Sequence, residues 1–594
     1  MATGGIYSAK SMGIFGFIIF SVAMASGLVG FLRALQAWHE GAWASYGDGV
    51  LFWESWAADF GTTRLIQAVV LAVVLFLVTK RVQKLVRKPH QLLVFLGRPI
   101  PVALGLAFAL LPQGVAPTLR QDASDKPSII LIMLDTVRAD EVGWVRRATG
   151  RALLPEIEDP TPHLDSLAAQ GASFSNAVSQ APWTKPSTAT LLSGVVPGKH
   201  LAVERNGPCT NFRANQRTLP EALGAAGWET IGISSNPNIR TFFGFHQGFQ
   251  TFREGVNFTA DDALAMADDF LGPPSKRARP YFLYLHLNDA HFPFEAKAPW
   301  GGMYDDTSST AILDGNTERE YRESRRDFSE EDFRHFRLTH AEEIRYLDDV
   351  VGPWLEKQLA QQENLLVVVL SDHGEEFHDH GDVGHGHTLN DELLRVPLQL
   401  MWSQDIGLEP ISVSTQVRSM DVLPTLLDFC GLSWPSAALA LDGESLLPLL
   451  KGQGESRPAP SETDSPGSPR SGITGPLRSY RYDGWKWIQS ANEGDYPGRV
   501  WLYHLQGDPG EITNLALQET GRADSLKKAQ AESGWLHNSL EPCACEGCGV
   551  LEVHEGNLSA DLAALGYGEE ATGEGGHFLP GSVPWADISL NSQD

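Results

Sequence analysis

Four runs of eight or nine residues, SIILIMLD, ETIGISSN, YFLYLHLND and LLVVVLSD, are apolar over most of their length and end in polar residues. Between them lie segments with apolar positions three and four apart, such as TPHLDSLAAQG and HAEEIRYLDDVVGPWLEKQLAQ. Continuous apolar strands alternating with amphipathic helices predict an α/β domain, a central mostly parallel sheet flanked by helices. In such sheets ligands bind beyond the carboxyl ends of the strands. Asp135 and Asp372 both fall at such ends.

The pattern changes on both sides of this domain. Residues 11–32 carry no charge and are long enough to span a bilayer core. A second apolar run covers 65–79, extended by Phe60 to Thr63 with Arg64 snorkelling, and a third, proline-containing run covers 99–119. The connector KRVQKLVRK is basic, whereas the connector from Ala34 to Thr63 has no Lys or Arg and holds Trp38, Trp43, Trp53 and Trp56. Basic loops stay cytoplasmic, so three spans place everything after about residue 120 outside the cytoplasm. The expected division is a transmembrane region over 1–120, a catalytic domain over 121–451, a flexible Pro/Ser/Gly-rich loop over 452–476, and a smaller C-terminal α+β subdomain over 477–594. Short strands YRYDGWKWIQ and RVWLYHL mark the last of these.

Composition adds limits. The 594 residues are 42% hydrophobic and 20% charged, with a formal net charge of −27, which excludes a general nucleic-acid binder. Of five cysteines, Cys209 and Cys430 are isolated. Cys543, Cys545 and Cys548 cluster in PCACEGC, for which a local disulfide is preferred over a metal site completed by His554.

Candidate chemistry lies in four places. Asp135, in LIMLDTVRAD, and the adjacent Asp372 and His373 offer carboxylate and imidazole ligands that suit zinc or manganese better than calcium. Thr184, in APWTKPSTATLLSG, stands before a helix-like run whose NH groups would face an anion, and a metal-held threonine oxygen becomes a stronger nucleophile. His378, His380, His385 and His387 follow in one loop, and His291 follows a strand in LHLNDAHFPF. Taken singly, each is as well explained by a helix cap, a core-edge histidine or a surface histidine.

In this order, however, the segments resemble the sulfatase family of the alkaline phosphatase superfamily. LIMLDTVRADEVG, the helix TPHLDSLAAQGASFSNAVS, VVVLSDHGEEFHDHGDVGHGHTLNDELLRVPL, SMDVLPTLLDFCGL, GESLLPLLKG, YDGWKW, LYHLQGDPGEITNLA and LAALGYGEE carry the likeness over about residues 126–567. It implies a sulfatase-like fold and one divalent metal held by Asp135, Thr184, Asp372 and His373. Thr184 would be the nucleophile, and His291 and His385 would assist at the substrate's anionic group or leaving oxygen. Lys185 and His387 would contact substrate. Two departures qualify the likeness. Sulfate-cleaving members carry Cys or Ser followed by x-Pro-Ser-Arg, with formylglycine made from the first residue, whereas this chain reads Thr184, Lys185, Pro186, Ser187, Thr188. Thr136 also stands where calcium-binding members often place a second Asp. Threonine behind N-terminal spans is similar to the phosphoethanolamine and phosphoglycerol transferases of cell envelopes. The expected function is therefore phosphate-type ester hydrolysis or transfer outside the cytoplasm, on a lipid headgroup or envelope glycan. The alternatives are a sulfuric ester hydrolase without formylglycine and a non-catalytic envelope binding protein.

Overall fold

The run SIILIML forms β1 (Ser128–Leu134) of a computed structural model, and its last six residues are all buried. The structure describes residues 126–534, apart from 204–210, 214–215, 257, 275–276, 278, 404–407, 435–437, 465–466, 469, 471–472, 475 and 491–497. The three N-terminal apolar runs, Cys209 and the Cys543, Cys545 and Cys548 cluster lie outside the described residues. Among the described residues no helix is long and apolar enough to cross a membrane.

Six strands follow the order of the sequence patterns: β1, β2 (Ala172–Val178), β3 (Glu229–Ser234), β4 (Thr251–Glu254), β5 (Tyr281–Leu287) and β6 (Leu365–Ser371). A small hairpin, β7 (Glu376–Phe377) and β8 (Val383–Gly384), precedes β9 (Arg395–Trp402), β10 (Ile411–Val413) and β11 (Val417–Arg418). All but the hairpin join one nine-stranded sheet in the order β10-β2-β9-β6-β1-β5-β3-β4, with β11 beside β2. Apolar side chains alternate to the two faces of β1. Ile129, Leu131 and Met133 enter one core cluster, and Ile130, Ile132 and Leu134 the other. Helices covering both faces explain why β1, β5 and β6 read as unbroken apolar runs.

The structure bears out the mostly parallel sheet and corrects two other expectations. Within the sheet β9 alone runs antiparallel, to both β2 and β6; RVPLQLMW is an apolar run like theirs, and periodicity does not encode direction. The long helix expected over TPHLDSLAAQGASFSNAVS covers only α1 (Pro162–Ala168), and ASFSNAV is β2. There Ala172 and Phe174, two apart, enter the core. The stretch 452–476, expected to be a flexible loop, contains β12 (Ala459–Thr463), all of whose residues are buried. Its polar composition is satisfied in place. Ser461 Oγ donates to Ser179 O at 2.6 Å, Thr463 Oγ1 donates to Gly386 O at 2.9 Å, and Glu462 pairs with Arg478 at 2.7 Å. β13 (Gly467–Ser468) and β14 (Ile473–Thr474) form a short ladder, and β12 heads a four-stranded antiparallel sheet with β15 (Leu477–Tyr482), β16 (Trp485–Ser490) and β17 (Val500–His504). The C-terminal sheet thus begins before residue 477 and touches the segments that carry Thr184 and His385.

Candidate active site

Parallel register builds the centre. Leu134 on β1 pairs with Ser371 on β6, so the next residues, Asp135 and Asp372, emerge side by side at the carboxyl edge. His373 follows directly. Thr184 opens α2 (Thr184–Ser193) after the extended residue Trp183, with its backbone NH groups at the helix N-terminus. All four side chains are fully buried.

They also converge. Thr184 Oγ1 lies 3.2 Å from His373 Nε2. That nitrogen is 3.7 Å from Asp135 Oδ1 and 3.4 Å from Asp372 Oδ2. Neither carboxylate oxygen has a hydrogen-bond partner among the described residues, and one ligand atom each from Asp135, Asp372 and His373 fits within 4.8 Å. His373 Nδ1 donates to Gly374 O at 2.8 Å, so the Nε2 lone pair faces the cluster. Buried acceptors without donors are costly, and two such carboxylate oxygens beside the His373 Nε2 lone pair fit a cation.

The electrostatics agree. Burial raises Asp135, but the hydrogen bond from His286, with the surrounding histidines, outweighs it and holds its carboxyl at about 2. Burial and the neighbouring Asp135 push Asp372 well above the usual carboxylate range. Two carboxylates this close need a positive charge between them to be ionised together. The backbone is strained at the same place. Thr136 has φ 59°, left-handed for a β-branched residue. Its hydroxyl contacts Asp135 O at 2.8 Å and Ala290 O at 2.9 Å, and its amide donates to Asp372 Oδ1 at 3.3 Å.

The histidines separate into two sets. The His385 ring lies 4.5 Å from the His373 ring and 4.9 Å from the His291 ring, centroid to centroid. His291 Nδ1 donates to Phe292 O at 2.7 Å, and burial lowers its pKa, so it is neutral at pH 7. His385 Nδ1 lies 3.1 and 3.2 Å from the oxygens of Glu375, whose carboxyl burial pushes well above its usual range. His387 differs. Its Nε2 bonds Glu376 at 2.8 Å and its Nδ1 bonds Arg322 at 2.7 Å, so both ring nitrogens are spent on the protein. His380 pairs with Glu392 at 2.6 Å, and His378 stacks on Phe333 at 4.3 Å. Lys185 is fully buried, with its ammonium 3.9 Å from the Phe243 ring centroid.

Three groups around the centre were not singled out in the sequence. Arg138 donates to Glu375 O and Asp379, both at 2.9 Å, pinning the loop after β6. Arg322, the last residue of α3 (Gly315–Arg322), donates to His385 O at 3.0 Å and to Val383 O at 2.9 Å. Gly384 sits there at φ 82°, where a Cβ would meet Glu318 Oε1 at 2.2 Å. Finally, His286 on β5 and Asn236 both reach Asp135 Oδ2, at 2.9 and 2.5 Å. The signal for His286 was a histidine inside an otherwise apolar strand, since a buried polar side chain needs a specific partner.

Comparison with known proteins agrees with this fold. A sulfatase family model matches residues 127–432, just over half of the chain. A multifunctional alkaline phosphatase superfamily protein of Trinickia caryophylli is 26% identical over 414 residues, covering 55% of this chain and 77% of its own. A choline-sulfatase of Rhizobium meliloti is 24% identical over 463 residues, covering 67% and 84%. Among solved structures, a phosphonate monoester hydrolase of Silicibacter pomeroyi superposes with TM-score 0.54 at 21% identity, covering 68% of this chain and 94% of its own. The chain belongs to the sulfatase family of ester hydrolases.

Proposed function

We propose that the protein is a metal-dependent hydrolase or transferase of phosphate-type esters in which Thr184 is the nucleophile. The observation that carries this reading is the approach of Thr184 Oγ1 to His373 Nε2, inside the same buried cluster as Asp135 and Asp372. A divalent ion held by Asp135, Thr184, Asp372 and His373 would make the Thr184 hydroxyl more acidic and neutralise charge on the ester oxygens. Zinc or manganese fits a donor set of carboxylate and imidazole better than calcium.

The protein's own groups do the rest. The α2 N-terminus directs amide NH groups at the anion, and Lys185 adds a buried positive charge one residue on. The Thr184 hydroxyl passes its proton to solvent water as its oxygen attacks phosphorus. The bond to the leaving oxygen breaks, and His385 supplies that oxygen's proton. Neutral His291, its Nδ1 donating to Phe292 O, offers Nε2 as an acceptor to the water or acceptor hydroxyl of the second step. The phosphothreonine then yields its group to water or an acceptor hydroxyl. Threonine cannot form the formylglycine hydrate, which favours phosphorus over sulfur. The names of the curated relatives favour the second reading, a sulfuric ester hydrolase.

The two separate by kcat/KM of the full chain on an aryl phosphodiester, an aryl phosphate and an aryl sulfate with the same leaving group. The expected result is an advantage of at least about tenfold, ~1.4 kcal/mol, for a phosphate ester. A faster aryl sulfate would move the function to the second reading. The N-terminal apolar runs support membrane anchoring with the catalytic domain extracytoplasmic, near lipid headgroups or envelope glycans.

A further inference from the structure

We propose that His286 sets the metal preference of the site by restricting Asp135 to one coordinating oxygen. This rests on the metal-centre reading above and adds a residue that touches neither metal nor substrate.

Each buried carboxylate is divided into an outer and an inner oxygen. Asp135 Oδ2 is held by His286 Nε2 at 2.9 Å and Asn236 Nδ2 at 2.5 Å. Asp372 Oδ1 accepts the backbone NH groups of His373 at 2.9 Å and Thr136 at 3.3 Å. The other two oxygens, Asp135 Oδ1 and Asp372 Oδ2, are those without partners among the described residues. A carboxylate saturated on one oxygen cannot swing to bind a metal with both. The site therefore offers two carboxylate oxygens, one imidazole nitrogen and the Thr184 hydroxyl. Calcium takes six to eight oxygen ligands, often with bidentate carboxylates, so such a site disfavours it.

His286 is built for this task. Tyr284 OH lies 2.7 Å from His286 Nδ1. Burial pushes the Tyr284 phenol well above its usual range, so it stays protonated and donates. That bond fixes the tautomer with its proton on Nε2, aimed at Asp135. Asn236 is steadied in turn by Asn288 Oδ1 at 2.8 Å. His286 is a positioning residue whose hydrogen bond limits the denticity of a ligand.

The test uses the full chain, stripped of metal and titrated with zinc, with calcium, and with cobalt(II) as a spectroscopic probe. Wild type is expected to bind one zinc per chain, to resist calcium competition, and to give the intense visible bands of low-coordinate cobalt. His286→Leu should lower zinc affinity about 10–100-fold, weaken the cobalt bands and admit calcium. His286→Gln, which still donates, should recover most of both. A folded His286→Leu protein with wild-type zinc affinity, cobalt spectrum and calcium exclusion would overturn the proposal. So would a wild type that prefers calcium, which leaves the metal centre itself intact. A wild type that binds no divalent ion removes the metal reading along with this one. If His286→Leu does not fold, Asn236→Ala decides, with the same shifts expected and unchanged selectivity counting against the proposal.

Discussion

Thr184, Asp135 and the Asp372–His373 pair are distant from one another in sequence, yet their polar atoms are buried at one point. Thr184→Ala should lower kcat on an aryl phosphate ester by about 10³-fold or more while the far-UV spectrum is unchanged, because loss of a nucleophile removes the chemical step itself. Thr184→Ser, which keeps the hydroxyl, should retain measurable turnover. At this scale the sequence was legible where chemistry stands at a strand end. Asp135 and the Asp372–His373 pair follow apolar runs directly, and Thr184 precedes a helix. The loop histidines were less legible. His385 and His387 are two residues apart in the sequence, and only the fold shows that Arg322 and Glu376 engage both nitrogens of His387. Glu375 and His286 act through hydrogen bonds across the fold, at spacings of 10 and 151 residues, which no local pattern reveals.

At the scale of elements, α4 (Glu330–Gln361) holds the segment that follows His291. Glu342 accepts the NH groups of Gly302, Tyr304 and Asp305 at 2.7–3.0 Å, and Glu343 accepts that of Glu295 at 3.0 Å. Burial, with the Asp289 charge, raises the Glu343 pKa to about 8. The folded protein keeps this proton above the ordinary glutamate range, so its stabilising effect is complete below about pH 4.5 and is lost as pH rises towards 8. Glu343→Gln, which preserves the acceptor, should therefore raise Tm more at pH 8 than at pH 5. An equal gain at both would contradict the assignment. The same helix starts with a capping box in which Ser329 accepts from Asp332 N. Ser329→Ala should cost about 1 kcal/mol locally, read as roughly fivefold faster amide exchange in the first turn. Elements were legible when apolar spacing dominated, as in β1, β5, β6 and α4. β12 was hidden because APSET has a linker's composition and is buried through ion pairs and hydroxyl bonds.

For the whole molecule, the catalytic domain and the C-terminal sheet meet at the site. Ser461 holds Ser179, ahead of the Thr184 helix, and Thr463 holds Gly386, beside His385. The formal charge of −27 over the whole chain gives no attraction for polyanions. The N-terminal runs predict an extracytoplasmic active site. A phosphatase reporter fused after residue 120 should be active, and an inactive fusion would contradict three spans. The fold class was legible as alternating strands and helices. The antiparallel run of β9 was not, because direction depends on which neighbours a strand meets.

The most direct measurement is peptide mass mapping after acid quench of the full chain turning over an aryl phosphate ester. A Thr184 nucleophile predicts a phosphoryl adduct on the peptide carrying that residue, absent from Thr184→Ala. The same adduct on another residue, with turnover preserved in Thr184→Ala, would contradict it.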